Sequence, residues 1–139
     1  MGKFKDLRVW NDAVDLAEKI YRITQEPLFS KDFALRDQIR RAVVSISSNI
    51  AEADERGSNR ESMHFFNIAK GSAAEVITQL NIANRIGYLE SETLQLLEDH
   101  AEKIRASLKK LIQSRGGNNP VVFIGWFILS LVKLNSCSL

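Results

Sequence analysis

Cysteine and histidine are scarce in this chain of 139 residues, and each shortage argues against a class of site or cross-link. The only cysteine, Cys137, has no intrachain partner, which excludes a disulfide framework and any metal site built from paired cysteines. A chain of this length can bury a hydrophobic core without such cross-links. Residues 1–6 lack the apolar run of a signal peptide, and we therefore expect a cytoplasmic protein.

The chain also offers few combinations of residues that could carry out catalysis. Glu61 and His64 have the Glu-x-x-His spacing of di-iron bundles, but the second histidine, His100, has Leu97 where its glutamate would stand. No glycine-rich segment matches a phosphate-binding loop. The sequence therefore predicts no catalytic residues, no metal site and no cofactor, and it argues against an enzyme.

Apolar residues recur at spacings of three and four up to about residue 115, and no segment before that point alternates in the manner of a strand. This pattern predicts an all-α protein, an antiparallel up-down four-helix bundle formed by residues 1–115 and followed by an apolar tail at residues 116–139. The four predicted helices cover about residues 6–24, 32–57, 58–86 and 91–116.

Local signals predict where these helices end. Pro27 is expected to end the first helix, because a proline inside a helix removes a hydrogen bond and clashes with the preceding turn. Gly57 suits the left-handed cap position at the end of the second helix. Ser58 and Glu61 form a predicted capping box at the start of the third, in which each side chain bonds the backbone amide of the other residue. The third helix is expected to end at Gly87.

The first two helices have apolar faces wider than one neighbouring helix can cover, which favours a homo-oligomer. On the third helix, Phe65 is assigned to the core face, and Gly71 is expected to mark the close approach of another helix, since an interior glycine usually has a packing reason. The principal apolar stripe of the second helix consists of Leu35, Ile39, Ala42, Ile46, Ile50 and Ala53.

Polar residues lie beside this stripe on the second helix. Ser45, Asn49 and Glu52 are four and three residues apart, so that they line one strip of the helix. A buried amide needs hydrogen-bond partners. We interpret the three residues as a structural polar network between helices, and a small-molecule or nucleotide pocket is the alternative.

The net charge of +2, from 19 basic and 17 acidic residues, is too small to identify a nucleic-acid-binding protein by itself. Basic residues nevertheless cluster on the second helix and the turn that follows it, with acidic residues close by in the sequence. Such charges usually form a solvated helix face. In an oligomer, however, several copies would create a ring of positive potential that attracts phosphates. The candidate nucleic-acid-binding residues are Arg36, Arg40, Arg41, Arg56 and Arg60.

Several motifs occur in order along the chain, at residues 4–10, 38–42, 45–46, 48–52, 68–72, 75 and 87–89. Together they resemble the four-helix-bundle proteins encoded in intervening sequences of bacterial 23S ribosomal RNA genes. The resemblance implies a small bacterial bundle, often a homopentamer, with no defined activity. It also implies kinship to the accessory subunits of diversity-generating retroelements, which associate with nucleic acid and a reverse transcriptase. The chain departs from the family at Ala53, where glycine is usual, and in its long tail.

The tail contains an apolar run at residues 121–132, which is shorter than the roughly 20 residues that a helix needs to cross a bilayer. No spanning membrane segment is therefore predicted, and a membrane anchor is open only as a partial or interfacial insertion. Two other interpretations stay open for this tail: a segment that folds back onto the bundle or enters a subunit interface, and an accidental extension from a shifted reading frame.

Two classes of function follow from these observations. The first is a non-catalytic, oligomeric protein that binds RNA or DNA through a basic surface. The second is a structural or protein-interaction module without nucleic-acid contact. The two differ in whether the arginines converge on one unpaired surface or are neutralised by neighbouring acidic residues.

Overall fold

The computed structural model describes residues 3–116, and this part of the chain is all-α, as the periodicity predicts. A short 3-10 turn at Phe4–Asp6 precedes the first α-helix. No strand occurs within the described residues. The helices are α1 (Arg8–Ile23), α2 (Pro27–Lys31), α3 (Phe33–Glu55), α4 (Asn59–Arg85) and α5 (Ser91–Gly116).

The four long helices close into an antiparallel ring in which each one contacts two neighbours, α3 between α1 and α4, and α5 between α4 and α1. Contacts at the helix ends show the directions. Arg40, early in α3, donates from Nε to Oγ1 of Thr24 at the end of α1, at 2.8 Å. The Tyr88 hydroxyl, just after α4, donates to Oδ2 of Asp32 before α3, at 3.1 Å. The predicted four-helix bundle is confirmed.

The short helix α2 was not predicted from the sequence. The first long helix ends at Ile23, and Pro27 begins α2 instead of closing α1. Proline is tolerated in a first helical turn, because the backbone N–H groups there have no partner within the helix. The ring of Phe29 is fully buried, so the turn of α2 places a large apolar side chain over the end of the bundle.

The helix caps agree only partly with the predictions. Ser58 accepts from the backbone N–H of Glu61 at 3.3 Å, but the Glu61 carboxylate accepts from the Ser58 hydroxyl and not from its backbone amide. The left-handed conformation predicted at Gly57 is absent, since α3 leads into extended backbone at Arg56. Gly87 has a φ of 87° and is the one described residue with positive φ. The left-handed turn therefore follows α4.

The structure changes two assignments on α4. Phe66, which the sequence does not assign to the core face, is fully buried, whereas Phe65, which it does assign there, is only half-buried and packs against the core. Gly71 is exposed, and a Cβ atom added there would meet nothing within 4 Å. Within the described part of the chain no helix approaches this glycine. The predicted close approach is therefore not made inside the bundle.

The predicted apolar tail lies outside the described residues from position 117 onward. Within residues 3–116, no helix is both long enough and apolar enough to span a bilayer.

Candidate nucleic-acid interface

Arg36 and Arg40 lie one turn apart on the side of α3 that faces α1 and α2. The guanidinium of Arg36 donates to Oδ1 of Asp37 at 2.8 Å and to the carbonyl of Ser30 at 3.1 Å. The hydrogen bond from Arg36 lowers the pKa of Asp37, and the charges of Arg41 and Arg40 act in the same direction. Asp37 therefore stays ionised and neutralises the charge of Arg36.

Arg40 is held in place without a carboxylate. Its Nε atom donates to Oγ1 of Thr24, a fully buried residue that also donates to the carbonyl of Ile20 at 2.8 Å. Its Cζ atom lies 4.7 Å from the centroid of the Tyr21 ring. Among residues 3–116, no acidic side chain is within ion-pair distance of Arg40. The guanidinium is thus oriented without an ion-pair partner among these residues, and Asp37 is close enough for the charge of Arg40 to lower its pKa.

Arg41 adds a second such charge beside Arg40. It is exposed, its guanidinium donates to Oε1 of Gln38 at 3.1 Å, and it makes no ion pair within the described residues. Both arginines border an open depression of about 530 Å³. This surface can accept a phosphate group from solvent. The depression is lined by Tyr21, Asp37, Arg40, Arg41, Val44 and Ser45.

Arg56 and Arg60, the other two predicted residues, do not join this surface. Arg56 follows Arg40 by 16 residues, which corresponds to roughly 24 Å along the helix axis and about 160° around it. Arg56 forms an ion pair with Glu52 and lies 4.5 Å from the centroid of the Phe65 ring. Arg60 is exposed on the first turn of α4. The five arginines therefore divide into two groups near opposite ends of α3.

The three polar residues of α3 also separate. The hydroxyl groups of Ser45 and Ser72 are 2.9 Å apart, so that Ser45 connects α3 to α4. Asn49 donates to the hydroxyl and the carbonyl of Ser45, at 3.0 Å and 2.8 Å. Glu52 is exposed, and its carboxylate pairs with Arg56 instead. The hydrogen bonds therefore include Ser45, Asn49 and Ser72 but not Glu52.

An open apolar groove between α3 and α4 was not predicted. It measures about 760 Å³, and its walls include Leu35, Ala74 and the exposed Gly71. Ile82 and Ile86 are 44% and 51% exposed there. The Oε1 atom of the buried Gln79, which also lines the groove, has no hydrogen-bond partner in the described structure. The presence of a glycine, Gly71, in the middle of a helix is the sequence signal that could have located the groove.

A second unpredicted cluster lies at the end of α5. Arg115 donates to the hydroxyl of the buried Ser62 at 2.9 Å, and Ser62 donates to the carbonyl of Ala53 at 2.7 Å. A carboxylate oxygen of Asp54 lies 3.9 Å from the Arg115 guanidinium. Because its partners belong to α3 and α4, this arginine stabilises the bundle and is not available to a ligand.

The described residues contain no group of three or more potential metal ligands. His64 is exposed and packs edge-on against Phe65. His100 lies 3.3 Å from Nζ of Lys19. Partial burial, followed by the charge of Lys19, lowers the pKa of His100. A positively charged neighbour is the wrong setting for a metal ligand.

The family model of the 23S rRNA-intervening sequence proteins matches residues 5–110, which is nearly all of this bundle. The chain belongs to this family. The resemblance inferred from the motifs is thereby confirmed. No curated protein matches the chain.

A solved structure from the S23 ribosomal protein family, a protein of unknown function from Bacteroides thetaiotaomicron VPI-5482, is similar to the chain. The two are 26% identical, with a TM-score of 0.70 over 76% of this chain and 98% of the other. Neither the family description nor this neighbour indicates an enzymatic activity.

The motifs shared with the family have identifiable structural roles in this chain. Residues 38–42 carry Arg40 and Arg41, and residues 45–52 carry the hydrogen bonds between α3 and α4. Residues 87–89 supply the left-handed turn and Tyr88, whose hydroxyl connects the end of α4 to the start of α3. The motif residues that make these contacts therefore stabilise the bundle, and Arg40 and Arg41 also border the surface depression.

Proposed function

We propose that this 23S rRNA-intervening sequence protein is a non-catalytic, homo-oligomeric protein of the cytoplasm that binds RNA or DNA through the α1–α3 surface. The observation that carries the proposal is the pair Arg40 and Arg41 beside an open depression, where two guanidinium groups without ion-pair partners of their own outnumber the one carboxylate of Asp37. Phosphate contacts by such cations supply most of the affinity that does not depend on sequence. Arg36 contributes a weaker, partly neutralised contact.

Arg56 and Arg60 form a second basic group near the other end of α3. Since Arg56 is paired with Glu52, this group contributes less net charge than Arg40 and Arg41 do. In an oligomer, the copies of both groups would repeat around a symmetry axis and extend the positive surface. The positive surface then contacts the phosphate backbone of the nucleic acid, and binding does not depend strongly on the base sequence.

The α3–α4 groove supports the oligomeric part of the proposal. Its isoleucines are exposed in the isolated chain, and the absence of a side chain at Gly71 leaves room for a helix of a second copy. The unpartnered Oε1 of Gln79 could accept a hydrogen bond from that copy. By family resemblance we propose a homopentamer.

Replacing Arg40 and Arg41 together by alanine tests the nucleic-acid proposal. Each lost contact to a single strand removes about 0.7 from the slope of log affinity against log salt, so the pair removes about 1.4. At about 0.1 M salt this corresponds to a loss of roughly tenfold or more, the same for all sequences. Fluorescence anisotropy with labelled RNA and DNA at several salt concentrations measures both quantities.

Two control variants locate the contact. The double change Lys109→Ala with Lys110→Ala removes the same formal charge from exposed positions on α5 and is expected to leave binding nearly unchanged. The double change Arg56→Ala with Arg60→Ala measures how much the second basic group contributes to the binding affinity. An unaltered salt slope in the Arg40 and Arg41 variant would place the site elsewhere.

A protein-interaction module is the alternative, and the α3–α4 groove is the observation that favours it. A groove with exposed isoleucines and a buried acceptor fits an amphipathic helix of a partner protein. The resemblance to retroelement accessory subunits makes a reverse transcriptase a candidate partner. If the unmodified protein retains no RNA or DNA at low salt, this alternative replaces the first proposal.

We also propose that residues 1–115 form the functional bundle and that residues 116–139 are dispensable. Among residues 3–116, Arg115 makes the last side-chain hydrogen bond and ion pair from α5 to α4 and α3. Truncation after Arg115 is expected to preserve the helix content per bundle residue and the oligomer size, and to improve solubility by removing an apolar segment. Circular dichroism and light scattering check this. A loss of helicity, or dissociation to monomers, would show that the tail is integral.

A further inference from the structure

Three of the five predicted arginines lie over aromatic rings. The Cζ atoms of Arg36 and Arg40 are each 4.7 Å from the ring centroids of Phe33 and Tyr21, respectively. Arg56 has the same relation to Phe65 near the other end of α3. A fourth arginine, Arg115, lies over the buried ring of Phe66 and stabilises the bundle. The pairs that call for a more specific explanation are therefore those whose rings are exposed.

The rings of the first two pairs are accessible to solvent. Phe33 is 66% exposed and Tyr21 is 41% exposed. Large aromatic side chains contribute most when they are buried, and exposed rings are common where a partner covers them. Phe33, Tyr21, Arg36, Arg40 and Arg41 together constitute what we call the aromatic–arginine surface.

The guanidinium groups of this surface are oriented before any ligand arrives. Arg40 is fixed by its bond to Thr24, and Arg36 by its bonds to Asp37 and to the Ser30 carbonyl. Each planar guanidinium is therefore held near one ring. Both a guanidinium plane and an aromatic ring can stack on a nucleobase.

We infer that the aromatic–arginine surface selects single-stranded over duplex nucleic acid by stacking unpaired bases on Tyr21, Phe33 and the guanidinium groups beside them. This inference rests on the proposed function and names the class of nucleic acid. A duplex exposes its phosphates to Arg40 and Arg41 but keeps the faces of its bases covered within the stack. Only a single strand can use both the charge and the rings.

Two pairs of substitutions separate stacking from charge. Tyr21→Leu with Phe33→Leu removes both rings, keeps apolar side chains at exposed positions and leaves every arginine in place. Tyr21→Phe with Phe33→Tyr keeps both rings and serves as the matched control. The probes are an oligothymidylate of about 20 nucleotides and a DNA duplex of similar length, since non-specific sites cover several nucleotides.

The unmodified chain is expected to bind the single strand more tightly than the duplex. The leucine variant is expected to lose between about 5-fold and 150-fold in affinity for the single strand for each stacked base, and to bind the duplex as before. The ring-preserving control should match the unmodified chain with both probes. Circular dichroism of each variant verifies that the bundle is intact.

Two results would overturn the inference in distinguishable ways. If the duplex binds as tightly as the single strand and the leucine variant changes neither affinity, the rings do not stack on bases. The charge-based proposal then still stands, provided that the Arg40 and Arg41 variant loses binding. If neither probe binds at low salt, the proposed function fails together with the inference, and the exposed rings belong to a protein interface.

Discussion

Replacing Phe66 by alanine is expected to lower the free energy of unfolding by about 3–5 kcal/mol. The Phe66 side chain has no exposed area, and the guanidinium of Arg115 lies 5.1 Å from its ring centroid. The loss of stability has two parts: the apolar area that is no longer buried, and the cavity that the ring leaves. The close-packed helices cannot move far enough to fill this cavity. Urea denaturation at one fixed protein concentration measures the change, since the stability of an oligomer depends on concentration.

The adjacent Phe65 provides the matched control for this experiment. It is half-buried, with its ring between Arg56 and His64, and its replacement by alanine is expected to cost about 1 kcal/mol. Should the Phe66 variant fail to fold, Phe66→Leu gives a smaller but measurable loss. If Phe65→Ala destabilises the protein more than Phe66→Ala does, the sequence-based assignment of the core face was right and the helix is rotated.

Glutamate at both Ile82 and Ile86 is expected to dissociate the oligomer to the 15.7 kDa monomer. Both side chains are about half exposed in the isolated chain, so the change does not place a charge in the core of the bundle. In an interface, the same carboxylates would lose their hydration without gaining partners, which is strongly unfavourable. Light scattering at micromolar concentration measures the mass.

Leu96→Glu is the control for the assembly experiment. Leu96 is 67% exposed on α5, away from the α3–α4 groove, and its replacement is expected to leave the oligomer intact. Circular dichroism shows whether the groove variant retains its helices. A monomer mass for the unmodified chain would contradict the proposed assembly, and an unchanged mass for the groove variant would move the interface to another surface.

The candidate site was only partly predictable. The sequence identifies the arginines as a cluster because they are close along the chain, but their separation into two groups depends on where each one lies around the long helix α3. Arg36 and Arg56 have carboxylate partners, whereas Arg40 is oriented by the hydroxyl of Thr24, which belongs to another helix. A single polar contact between two helices, unlike apolar packing, leaves no periodic signal in the sequence.

The sequence by itself determined the fold class, the number of long helices and the approximate positions of their breaks. These features depend on apolar spacing and on the backbone preferences of proline and glycine, which act over a few residues. Only the tertiary structure decided which of two adjacent phenylalanines is buried and which glycine turns left-handed. It also decided which of the predicted arginines form ion pairs. Neighbouring helical residues differ by about 100° in direction, so a small rotation of a packed helix exchanges the buried residue for an exposed one.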